Sequence, residues 1–113
     1  MSPEVRQLLD DVLRAIYDIE SLSGDDIVHL QPRHRMMALE RGLIIVGEAL
    51  AGIRRQDEWV FDQVPHGNAI IGLRNVLVHG YGDVDEARIE SLLSDHLPSL
   101  KSAILEALGE TNR

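Results

Sequence analysis

The stretch MMALERGLIIVGEALAGI, residues 36–53, decides the fold class of this chain. Its apolar residues recur at alternating intervals of three and four: Met36, Leu39, Leu43, Val46, Leu50 and Ile53. This spacing places them on one face of a long helix, where they can pack against other helices. Gly42, Gly47 and Gly52 each cost up to about 1 kcal/mol of helix propensity relative to alanine, so close backbone approach is expected there. Tight packing within one chain and a contact between two chains are both compatible with that approach. Met36 and Met37 are expected in the core or in an interface.

Helical periodicity also precedes this stretch. Residues 3–22 carry apolar side chains at helical spacing, with Ser2 as the expected N-cap and Pro3 suited to the first turn. Pro32 disfavours a helix through the residue before it, so the long helix is predicted to begin near Arg33.

The second half of the chain predicts further helices. Residues 56–66 are irregular and indicate a short helical turn and a loop, and residues 68–79 predict a helix that Gly80 would end. The last helical pattern contains Pro98, so a kink or a break is expected near Asp95.

Composition agrees with an all-α protein. The 113 residues suit a single domain, 44% of them are hydrophobic, and period-two strand patterns are absent. The expected architecture is a small bundle of four or five helices over residues 1–113. The absence of cysteine excludes disulfides, thiolate zinc sites and cysteine nucleophiles, and it fits a cytoplasmic protein. Neither a signal peptide nor a membrane span is expected, because a span needs roughly 20 apolar residues.

Charge is unevenly distributed. The net charge of −8 argues against general electrostatic attraction to nucleic acid. Five of the eleven basic residues nevertheless lie in the centre of the chain, namely Arg33, Arg35, Arg41, Arg54 and Arg55. They form either a solvated face or part of an RNA groove. His29 and His34 lack metal-ligand spacing, so no metal site and no cofactor are expected.

Polar residues of the types used in catalysis interrupt the apolar pattern of the predicted helix within residues 72–81, GLRNVLVHGY. Asn75 and His79 are helical neighbours, whereas Arg74 and His79 are separated by about 140° around a regular helix. Arg74 and His79 would therefore meet only at a frayed helix end or across a subunit interface.

Three blocks of this sequence, in order, resemble the HepT toxins of the HEPN group. Residues 47–49, Gly-Glu-Ala, resemble part of the family's Ile-Ile-Gly-Glu-Ala stretch. Residues 71–81 resemble its Ile-Gly-Met-Arg-Asn segment and its Arg-x4-His-x-Tyr signature, carried here by Arg74, His79 and Tyr81. Residues 95–98 resemble its Asp-Leu-Pro helix.

The resemblance implies an all-α homodimer that cleaves RNA without metal, with Arg74 and His79 as the catalytic pair of a composite site. It also implies a toxin whose partner antitoxin is a minimal nucleotidyltransferase similar to MntA, in a heteromer that can exceed a dimer. That partner would add AMP to Tyr81, and a tRNA is one candidate substrate. Asn75 would orient His79 or the substrate, and Tyr81 would also contact RNA.

Two alternatives stay open from the sequence. Arg74 can simply pair with Glu48, a supporting residue in the long helix, while His79 caps its own helix. The chain can also be a non-catalytic helical subunit that positions substrate for a nucleotidyltransferase, with Arg74 binding phosphate only.

Overall fold

The computed structural model describes residues 1–22, 30–79 and 85–109, and within these ranges it contains helices and no strand. The helices are α1 (Pro3–Ser21), α2 (Pro32–Gln56), α3 (Glu58–Asp62), α4 (Gly67–His79) and α5 (Glu86–Ala107). The predicted all-α class is confirmed, and the fold is a small helical bundle. No helix in these ranges combines the length and the apolar character needed to cross a membrane.

Side chains cap three of the helix N-termini. The Ser2 hydroxyl accepts a hydrogen bond from the Val5 amide at 3.1 Å, as the sequence predicts. The carboxylates of Asp57 and Asp85 cap α3 and α5 in the same way. Each cap satisfies an amide that has no partner within its helix.

Helix α2 is the centre of the bundle and packs against α1, α3 and α4, while α5 packs against α1. The apolar face that the sequence predicts for α2 is buried: Met36, Leu39, Leu43, Val46, Leu50 and Ile53. Each fully buried side chain of this size stabilises the fold by about 1.5–3 kcal/mol. Met37 is 57% exposed, so its predicted place in the core is wrong for this chain, and an interface role stays a prediction.

The glycines of α2 allow close contacts within the chain. A Cβ atom at Gly42 would lie 2.6 Å from Cγ1 of Ile19, and one at Gly52 would lie 3.0 Å from Cδ1 of Leu8. Both partners belong to α1, so intramolecular packing accounts for these two glycines.

Helix α5 runs unbroken from Glu86 to Ala107 with Pro98 inside it, so the expected break near Asp95 is not found. An internal proline costs a helix about 3 kcal/mol, because it removes one backbone hydrogen bond and crowds the preceding turn. Leu97 and Leu100 are buried on either side of Pro98, and Pro98 itself is exposed. Packing of both halves of α5 on the core offsets the local cost of the proline.

Candidate active site

Gly47 of α2 sets the position of Arg74 on α4. A Cβ atom at residue 47 would lie 2.8 Å from Cγ of Arg74 and 3.4 Å from the carbonyl oxygen of Ile70. The two helices therefore approach this closely only because residue 47 has no side chain. The sequence predicts a close approach at Gly47 but does not identify its partner.

Arg74 lies between Asn75 and Glu48. Its Nη1 donates a hydrogen bond to Oδ1 of Asn75 at 2.6 Å, and its Nη2 lies 3.9 Å from Oε1 of Glu48. The Arg74 side chain is 26% exposed, and its Nε is buried without a hydrogen-bond partner among the described residues. The structure thus brings together three of the predicted site residues, with one donor of the guanidinium still unused there.

The contact between Arg74 and Glu48 is long and the Glu48 side chain is 53% exposed, so it stabilises the fold little. We expect Glu48→Gln to lower the free energy of unfolding by less than about 1 kcal/mol, measured by urea denaturation. Glu40→Gln, on the same helix, is the matched control, since Glu40 forms no salt bridge within the described ranges. A loss of several kcal/mol at Glu48 alone would show that the pair is a major structural contact.

His79 is the last residue of α4 and is exposed. Because α4 remains helical through His79, Arg74 and His79 leave the helix about 140° apart. The helix therefore keeps the two side chains apart within one chain, and a site shared with a second chain stays a prediction. Two predicted residues lie outside the described ranges: Tyr81, the expected acceptor of AMP, and Gly80, the expected end of the helix.

His79 shares its side of α4 with small, exposed residues. Ala69, Gly72 and Val76 precede it at helical spacing, and all of them are exposed. Val76 is 50% exposed, and a Cβ atom at Gly72 would have no neighbour within 4 Å in the described part of the chain. Residues 1–22, 30–79 and 85–109 therefore leave this side of α4 uncovered.

A cleft of about 530 Å³ opens between α1 and α2, and Arg74 of α4 reaches into it. Its charged lining consists of three arginines and three carboxylates: Arg14, Arg55, Arg74, Asp11, Asp18 and Glu48. Asp11, Arg14 and Asp18 were not predicted as site residues from the sequence. Their spacing of three and four residues on α1 was the available signal, but it is equally typical of a solvated helix face.

The central arginines do not form one groove. Arg35 pairs with Glu90 and donates from Nε to the Leu22 carbonyl at 2.8 Å. Arg54 donates to Oδ1 of Asn68 at 2.8 Å, and Arg55 lines the cleft. Arg35 and Arg54 therefore tie elements of the fold together, whereas Arg33 and Arg41 are exposed.

Two other histidines stack on each other. The ring centroids of His66 and His96 are 3.9 Å apart, and His66 has a left-handed backbone with φ of 62°. Thirty positions separate them, so no sequence spacing reveals this contact. Across residues 1–22, 30–79 and 85–109, no group of three histidine, aspartate or glutamate side chains could hold a metal ion.

Comparison with known proteins identifies the family. The model of the family described as "Ribonuclease HepT-like" matches residues 12–107, and the chain belongs to this family. A Methanocaldococcus jannaschii protein, provisionally named an RNase, is 27% identical over 103 residues, which cover 89% of this chain and 94% of that protein. No solved structure matches the chain. Family membership confirms the resemblance described above and supports a ribonuclease function.

Proposed function

We propose that this protein is a metal-independent endoribonuclease in which Arg74 and His79 are the catalytic pair. The observation that carries the proposal is their placement in a member of the HepT-like ribonuclease family: both lie on the unbroken helix α4, at the spacing of the family's motif. Residues 1–113 are proposed to form one such domain, acting in the cytoplasm on RNA such as a tRNA.

The chemistry needs only groups that these residues supply. The 2′-hydroxyl of a ribose loses its proton to a base and attacks the adjacent phosphorus, while an acid protonates the departing 5′-oxygen. The P–O2′ bond forms, the P–O5′ bond breaks, and the products are a 2′,3′-cyclic phosphate and a 5′-hydroxyl. Histidine side chains change protonation between pH 5 and 8 and suit both proton transfers. The planar guanidinium of Arg74 matches the phosphate oxygens and stabilises the charge of the phosphorane.

The active site is proposed to be composite, formed where two copies of α4 meet. Two observations support this: the separation of Arg74 and His79 around one helix, and the exposed side of α4 that carries both His79 and Val76. A homodimer would place two arginines and two histidines in one cleft.

Mixing two inactive variants tests the composite site. Arg74→Ala and His79→Ala homodimers each lack one residue type entirely, whereas a heterodimer of the two retains one arginine and one histidine. After co-refolding, we expect RNA cleavage above that of either parent, measured with a fluorescent RNA substrate. Sedimentation of the same samples confirms dimers. No recovery in a mixture that contains heterodimers would contradict a site shared between chains.

The biological role proposed is that of a toxin restrained by a nucleotidyltransferase antitoxin, with Tyr81 as the modified residue and a second RNA contact. Asn75 supports the site by its hydrogen bond to Arg74. Transfer of AMP from ATP to the Tyr81 hydroxyl would release pyrophosphate and leave a bulky anion seven positions after Arg74 in the sequence. Such a group opposes phosphate binding by charge and by volume.

Intact-mass analysis tests the proposed modification of Tyr81 by AMP. Co-expression with a minimal nucleotidyltransferase of the proposed antitoxin class is expected to add one or more adenylyl groups, located at Tyr81 by peptide sequencing. Tyr81→Phe is expected to stay unmodified, and Tyr17→Phe serves as the control because Tyr17 is the other tyrosine of the chain. An unmodified native chain after co-expression with an active partner would refute this part of the proposal.

A further inference from the structure

The charges in the cleft between α1 and α2 are only partly paired with one another, by the long contact between Arg74 and Glu48. In the described part of the chain, Arg14 and Arg55 form no salt bridge, and Arg74 is 3.9 Å from Glu48. The Asp18 carboxylate accepts no hydrogen bond within the described ranges, although its backbone carbonyl accepts one from the Ser21 hydroxyl, and the Asp11 carboxylate accepts one from Nε2 of Gln7 at 3.0 Å. The cleft thus presents cationic donors and anionic acceptors that a ligand can use.

The presence of both positive and negative side chains in the cleft restricts the chemical class of the ligand. A groove that only follows a phosphate backbone gains affinity from cations, and carboxylates in it would oppose binding. Here three carboxylates stand beside three arginines. Ionised carboxylates only accept hydrogen bonds, so they match a ligand with N–H donors, while arginines match its phosphate. A nucleotide with an amino group on its base has both features.

The size and the walls of the cleft also suit a nucleotide. Its volume of about 530 Å³ lies within the roughly 300–1,000 Å³ of small-molecule sites. Apolar side chains from both helices, including Leu8 and Ile45, contribute to the lining and can contact the face of a base. Arg74 belongs both to this lining and to the candidate active site, so a base held here would have its phosphate beside Arg74.

We propose that this cleft is the base-recognition subsite of the nuclease, and that Asp11 and Asp18 select a nucleotide whose base carries an amino group. This inference rests on the proposed function. Cytosine offers an amino group where uracil offers a carbonyl oxygen, and a carboxylate repels that oxygen. Cleavage is therefore favoured beside cytosine over uracil, with adenine and guanine accepted through their own amino groups.

Binding of 5′-CMP and 5′-UMP to the native protein tests the subsite without any cleavage. The two ligands carry the same phosphate, and their difference at C4 isolates the amino group. We expect CMP to bind at least about 10-fold more tightly by NMR titration, since a hydrogen bond to a charged group contributes that much. Shifts are expected at amides of residues 11–18 and 45–49. Equal affinities, or shifts elsewhere only, would overturn the proposal.

Variants identify the carboxylates responsible. The double substitution Asp11→Ala/Asp18→Ala is expected to bring the CMP/UMP affinity ratio close to one, while Asp10→Ala leaves it unchanged. Asp10 is on the same helix but does not line the cleft. These positions are not in the core, so circular dichroism should show all variants folded. A ratio that persists in the double variant would overturn the assignment.

Cleavage of poly(C) and poly(U) in EDTA separates this inference from the proposed function. Preferential cleavage of poly(C), lost in the double variant, supports both. Equal cleavage of the two polymers supports the proposed nuclease function and overturns the proposed subsite. If neither polymer, nor any other RNA, is cut but CMP is still preferred, the subsite stands and the nuclease proposal fails.

Discussion

His79→Ala is expected to cleave RNA about 10²–10⁴-fold more slowly than the native protein, because general acid–base catalysis by one side chain contributes a factor of this size. The composite site makes the loss larger than for a single residue, since one substitution removes the histidine from both subunits. The measurement is the initial rate on a defined RNA in excess EDTA.

The position of His79 makes this variant informative. His79 is exposed at the end of α4 and lies outside the core, so its loss should change the free energy of unfolding by no more than about 0.5 kcal/mol. His34→Ala is the matched control, because His34 is exposed near the beginning of α2 and is not one of the proposed catalytic residues. A His79→Ala variant that remains folded, dimeric and fully active would remove His79 from the mechanism.

Gly47→Ala is expected to lower both stability and activity. The new Cβ atom would lie 2.8 Å from Cγ of Arg74, so α2 and α4 must move apart or Arg74 must change position. Overpacking of this kind costs about 1–3 kcal/mol of folding free energy. Because Arg74 is also the proposed phosphate ligand, we expect the cleavage rate to fall by more than the loss of folded protein explains.

Gly72→Ala is the matched control for the change in stability only, because Gly72 lies on the side of α4 that is proposed to face the second copy. Gly72 is also a helical glycine, but a Cβ atom there would meet nothing within 4 Å among the described residues. Alanine is the better helix former by about 0.5–1 kcal/mol, so Gly72→Ala is expected to raise the free energy of unfolding. Urea denaturation of both variants gives the comparison. A Gly47→Ala variant as stable as Gly72→Ala would show that residue 47 does not control the approach of α4.

The helical elements of this fold could be predicted from sequence because they depend on local periodicity. The apolar face of α2 and the N-cap at Ser2 both follow from spacing and local propensity. A kink or a break near Asp95 was predicted by the same local argument. The break is wrong, since burial of residues on both sides of Pro98 overrides the propensity of one residue, and the kink stays a prediction.

The candidate site was predicted only in part, because its geometry depends on contacts between helices. Arg74, Asn75 and Glu48 were selected from the sequence, and the structure places them together. The partner of Gly47 and the cleft carboxylates depend on how α1, α2 and α4 pack, which sequence spacing does not specify. Asp11 and Asp18 on α1 have the same spacing as ordinary solvent-exposed charges, so only the cleft distinguishes them.

Metal-free cleavage of RNA by unmodified native protein tests the central claim most directly. Protein produced without its partner, and shown by mass to carry no adduct, is incubated with total RNA and with tRNA in excess EDTA, and the fragment ends are identified. We expect the protein to cleave RNA and to leave 2′,3′-cyclic phosphate and 5′-hydroxyl ends. Intact RNA, or cleavage that appears only when a divalent metal is added, would contradict it and favour a non-catalytic subunit or a different nuclease chemistry.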